Sequence, residues 1–117
     1  MIEYPIFSKT YDLIAWLLSH TPKFPKSQRF VMAKRVEDAA LNFQALLIKA
    51  RKVTGAARAE ALLLADVELE VLRVSLRLCQ DLRLLSFAQY EHVSKQVVEV
   101  GNLLGAWRNP SAKQMSP

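Results

Sequence analysis

Apolar residues recur along most of this chain at intervals of three and four, the spacing that gathers side chains onto one face of an α-helix. In the first such stretch, over about 8–20, Tyr11, Ile14, Leu17 and Leu18 are in phase, with Ser8 or Thr10 as N-cap. A loop must follow, because Pro22 and Pro25 stand three apart and a helix interior tolerates neither. Ser27 then caps a second stretch over about 28–53. There Val36, Phe43 and Ala50 are seven apart, and Ala39, Leu46 and Val53 form the matching set. Two interleaved sets of this kind make the three-four seam of near-antiparallel helix packing. Gly55 supplies a residue free to turn left-handed where that helix ends.

The third stretch, about 57–85, is apolar on two sides. Ala65, Leu69, Leu72, Leu76 and Cys79 form one row, and Val67, Val71, Val74, Leu78, Leu82 and Leu85 a second. Between them Asp66, Glu70, Arg73, Arg77 and Asp81 leave only a narrow polar strip. Such a helix is covered on both sides, either centrally in one bundle or by a neighbouring subunit. Ser86-Phe87-Ala88-Gln89 reads as a capping box opening the fourth stretch, about 87–108. In it Tyr90, Val97 and Leu104 interleave with Val93, Val100 and Trp107. Asn109-Pro110 stops it, and 109–117 is a polar tail expected to fray. Short connections force neighbouring helices antiparallel. The expected fold is therefore all-α, an antiparallel up-down-up-down four-helix bundle forming one domain over 1–117.

Composition removes several kinds of chemistry. The single cysteine, Cys79, allows no intramolecular disulfide and no cysteine-based zinc site, and its apolar surroundings make it a packing residue. No run approaches the roughly 20 apolar residues of a membrane span, and the N-terminus has no secretory-signal pattern, so a cytoplasmic protein without a membrane partner is expected. His20 and His92 have no carboxylate or second histidine at ligand spacing. The acidic residues fall on polar faces, which argues against a di-metal bundle. The three glycines are isolated, so no phosphate-cradling loop exists. Nothing resembles a Ser/His/Asp arrangement. No catalytic residue, metal or cofactor is expected, and the chain is not read as an enzyme. Tyr11, Trp16 and Trp107 hold seam positions, which points to core packing rather than base stacking.

Charge changes the picture. The net charge is +5 and unevenly placed: residues 1–58 carry ten Lys/Arg against four Asp/Glu, and residues 59–117 carry six against seven. That bias suggests an anionic partner. The candidate contacts are Lys23, Lys26, Arg29 and Arg35 around the start of the second helix, with Lys34 among them. Lys49, Arg51 and Lys52 stand at its end, and Arg58 just beyond. Arg73 and Arg77, four apart, share one helix face. The plainer alternative for this pair is neutralisation by Glu70 and Asp81, each within one turn, as solvated ion pairs.

Two segments carry a family likeness. The run Val71-Leu72-Arg73-Val74-Ser75-Leu76-Arg77-Leu78, followed by Glu99-Val100-Gly101-Asn102-Leu103-Leu104-Gly105-Ala106-Trp107, resembles the accessory variability determinant (Avd) proteins of diversity-generating retroelements. Phe24-Pro25-Lys26-Ser27-Gln28-Arg29-Phe30 is similar to the same group, and to four-helix proteins encoded in intervening sequences of bacterial ribosomal RNA genes. The likeness spans roughly residues 8–108. It implies an up-down protomer assembling into a barrel-shaped homopentamer, encoded by a bacterium or phage. It further implies a basic surface that binds DNA and RNA, and a reverse transcriptase partner whose template copying diversifies a target gene. Arg73 and Arg77, matching an LRxxLR motif, inherit the nucleic-acid or partner role first; Lys23, Lys26 and Arg29 match in general character only. Gly101 and Gly105 read as close helix-packing positions. The alternative is a scaffolding homo-oligomer of the intervening-sequence type that binds protein only.

Overall fold

A computed structural model describes residues 4–110. Among them the architecture is all-helical, with α1 (Pro5–His20), α2 (Lys34–Lys52), α3 (Gly55–Asp81) and α4 (Phe87–Arg108). Of the tail expected over 109–117, residues 111–117 lie outside the described residues.

The helix ends depart from the sequence reading in instructive ways. α1 opens at Pro5, ahead of both expected caps. Proline suits a first helical position because the N–H it lacks would have no partner there. Ser8 donates its hydroxyl to the Pro5 carbonyl at 3.0 Å, and Thr10 is buried. The connector after α1 is not an open loop. Thr21–Lys23 and Lys26–Gln28 are short 3-10 turns, and Arg29–Ala33 is a π-helical turn leading into α2. Gln28, not Ser27, caps that turn, its side chain accepting from the Met32 N–H at 3.4 Å. The buried Thr21 hydroxyl donates to the Glu37 carboxylate, which ties the connector to α2.

Gly55 does take the left-handed conformation, with φ +58°, but as the first residue of α3 after an extended Val53 and Thr54. The end of α2 is closed by Arg58 instead. Its Nε donates to the carbonyls of Ala50 at 2.9 Å and Val53 at 3.0 Å. α3 stops at Asp81 rather than near 85. There the Leu84 and Leu85 N–H groups turn back to the Cys79 carbonyl, and Arg83 sits at φ 62°. The capping box at Ser86 and Gln89 is present in both directions, at 3.1 and 2.9 Å.

The core is built from the inward rows of all four helices. Leu13 and Leu17 meet Val36, Phe43 and Leu47, Leu69, Leu72 and Leu76, and Val93, Val97, Val100 and Leu104, all shut off from solvent. The main contacts run in a ring, α1 against α2 and α4, and α3 against α2 and α4, with α2 and α3 the most extensive pair. Tyr4 stacks on Trp107 at 5.8 Å between centroids, and Trp16 lies 5.7 Å from His92. The start of α1 thus meets the end of α4, and its end meets α4's start. Cys79 is fully buried, and burial pushes its thiol up to about 11. Trp16 and Trp107 are half-buried against the core, but Tyr11 is 68% exposed, so the seam assignment fails for it. Most of the second row of α3 is uncovered: Val67, Val74, Leu78 and Leu82 are exposed, Val71 is half-buried against the core, and Leu85 is buried. No helix among the described residues is long and apolar enough to cross a membrane.

Candidate nucleic-acid interface

The candidate cations fall into three groups, set by where the helices place them. The first surrounds the N-terminal end of α2. Lys23, Lys26, Arg29 and Arg35 are exposed there, and among the described residues none has a carboxylate within 4.0 Å. Lys34 differs. It donates to Asp38 at 2.5 Å, and that contact holds its ammonium above the usual lysine range. The positive end of the helix dipole adds to the field of the free cations.

Phe30, in the middle of this group, is 79% exposed, which the apolar pattern of the sequence does not signal. An apolar residue near a helix start reads as core. The π-helical turn instead buries Met32 and Ala33 and leaves Phe30 and Val31 outside. Phe30, Val31 and Arg35 line an open groove of about 440 Å³ between α2 and α3, whose far wall carries Glu68 and Val71.

The second group lies at the other end of α2. Lys49 and Lys52 are exposed and have no carboxylate within 4.0 Å among the described residues. Arg51 and Arg58 are otherwise engaged. The Arg51 guanidinium stands 4.5 Å from the Phe7 ring centroid, and Arg58 caps the helix. Arg35 and Lys49 are 14 residues apart on one helix, about 21 Å at 1.5 Å per residue. The two groups are therefore separate patches.

The third group splits. Arg73 Nη1 donates to the Glu70 carboxylate at 2.6 Å, and its Nη2 lies against α4, where a Cβ on Gly101 would come within 3.4 Å of it. The Arg73 guanidinium thus lies beside Gly101 at the α3–α4 seam, where a methyl would meet it at ordinary contact distance. A Cβ on Gly105, one turn on, would meet nothing within 4 Å. Arg77 is exposed, and neither Asp81 nor any other described carboxylate lies within 4.0 Å of it.

The histidines offer no contrary site. His20 stacks on Trp16 at 3.7 Å, with its Nδ1 2.7 Å from the Trp16 carbonyl, and His92 is exposed. Among the described residues no group of three or more His, Cys, Asp or Glu could hold a metal ion. What this surface offers is positive charge, one exposed ring and hydrogen-bond donors. Those are the groups that hold phosphates and bases.

Comparison with curated proteins found no match. A family model described as bAvd-like matches residues 5–111, from the first turn of α1 past the end of α4. With nearly the whole chain matched, this protein belongs to the bAvd-like family.

Proposed function

We propose that this chain is a non-catalytic accessory subunit that binds nucleic acid and assists a reverse transcriptase in retroelement-driven gene diversification. The observation that carries the reading is the bAvd-like match over residues 5–111. The free cations around the start of α2 support it, since a polyanion gains most where basic side chains are not already paired. The protomer is an up-down-up-down bundle, a reading supported by the crossed meeting of the ends of α1 and α4. It assembles as a homopentamer in the bacterial cytoplasm, with the uncovered row Val67, Val74, Leu78 and Leu82 as an apolar face for neighbouring copies. DNA and RNA are held by their backbones with little sequence preference. The free groups are lysines and arginines, and the amide next to them in sequence, Gln28, is taken up in capping the π-helical turn.

The uncovered α3 face also favours a second reading, a scaffold that binds protein only. Salt separates the two. If six or more phosphates are contacted, affinity for nucleic acid falls about a thousandfold or more between roughly 50 and 200 mM salt. Absence of binding at low salt, or equal binding across that range, overturns the nucleic-acid reading. A reverse transcriptase that fails to co-purify with the assembled protein overturns the accessory role.

A further inference from the structure

We infer that Phe30 is a stacking platform for an unpaired base, so that the nucleic acid this protein prefers is single-stranded. The inference rests on the nucleic-acid reading above and narrows it to one ligand class. At 79% open to water, Phe30 is the most exposed large apolar side chain among the described residues, ahead of Phe87 and Tyr11 at 68%, whereas Phe24 and Phe43 are buried. Its position is imposed by a π-helical turn, Arg29–Ala33, a distortion that often marks functional sites.

The surroundings select the ligand. Arg29 precedes the ring in sequence, Arg35 lines the same groove, and neither has a carboxylate within 4.0 Å among the described residues. Of the groove's own acids, Asp38 is paired with Lys34 at 2.5 Å, and Glu68, on the far wall, keeps its charge and accepts from the Asn42 amide at 3.5 Å. An aromatic face close to free cations is the arrangement that binds a single strand: cations follow the phosphates while the ring takes a base. In duplex nucleic acid the bases are stacked on one another, so a ring outside the helix has no partner. A second copy of this chain could cover Phe30 too, through the unlike faces that a cyclic pentamer brings together, and the assembly size measured below separates that case.

The test uses the full chain, a labelled oligothymidine and a blunt duplex of the same length, with light scattering on each preparation. Phe30→Ala is expected to weaken oligothymidine binding about 5- to 150-fold, the range that 1–3 kcal/mol per stacked base corresponds to. Duplex affinity is expected to change less than about twofold, and the salt slope to stay the same because no charge is lost. Phe30→Trp is expected to preserve binding, and Phe30→Leu to behave like Phe30→Ala. Unchanged oligothymidine affinity in Phe30→Ala overturns the inference, as does full activity in Phe30→Leu, which would make the contact apolar burial rather than stacking. A change in assembly size in Phe30→Ala also overturns it by assigning the ring to a subunit contact. Failure of the broader reading shows differently, as wild-type protein that binds neither probe at low salt.

Discussion

The two ends of α2 carry similar numbers of basic residues and use them differently. At the N-terminal end Lys23, Lys26, Arg29 and Arg35 are all without carboxylate partners among the described residues, and the helix dipole there is positive. At the C-terminal end Arg58 closes the helix by donating to Ala50 and Val53, and Arg51 rests on Phe7. Lys49 and Lys52 remain, beside the negative end of the dipole, which offsets part of their charge. A net charge thus says little about where a polyanion binds. What decides is which cations already have work inside the fold. The same division separates Arg73, held by Glu70 and seated over Gly101, from Arg77.

The sharpest way to break this contrast is to remove a committed cation and look for a binding defect. Arg58→Ala leaves the Ala50 and Val53 carbonyls without their charged donor, a loss of about 1.5–3 kcal/mol for such a hydrogen bond. Arg51→Ala costs less, about 0.5–1 kcal/mol for an exposed cation–π contact. Urea unfolding measures both. Binding by the fraction that remains folded is expected to hardly change, whereas loss of binding with full stability would place these arginines on the ligand.

A smaller effect sharpens the contrast at the α3–α4 seam. Gly105→Ala is expected to stabilise the protein by about 1 kcal/mol, because glycine inside a helix is disfavoured by that amount and a methyl there meets nothing. Gly101→Ala is expected to stabilise by a similar amount, since its Cβ would meet Arg73 Nη2 at 3.4 Å and Leu69 at 3.5 Å, both ordinary contact distances. A loss of stability at Gly101 in thermal melts would show that Arg73 and Leu69 leave less room there than these distances give.

These commitments mark the boundary of what the chain's pattern reveals. The inward rows and the Ser86 capping box were legible because they depend on residues three, four or seven apart, a distance over which the helix itself fixes geometry. The π-helical turn was not, because nothing in the spacing of Arg29–Ala33 sets it apart from an ordinary helical turn, and the Thr21–Glu37 contact that ties the connector to α2 joins residues sixteen apart. Arg83 in a left-handed turn was equally hidden, since that place usually signals itself with glycine. The candidate cations were legible as residues, but Arg58 reads as a ligand until its carbonyls are seen, and Phe30 reads as core until the turn exposes it.

The central claim is that the N-terminal end of α2 is the face that meets the polyanion, and a salt titration tests it most directly. The affinity for oligothymidine is measured against salt concentration for the wild-type chain, for Lys26→Gln/Arg29→Gln/Arg35→Gln, and for Lys49→Gln/Lys52→Gln. Each phosphate contact to a single strand contributes about 0.7 to the logarithmic slope, so the first variant is expected to lose roughly two units if all three side chains make contact. The second is expected to lose less than about one. A first variant with the wild-type slope, or a second that loses as much as the first, would contradict the account.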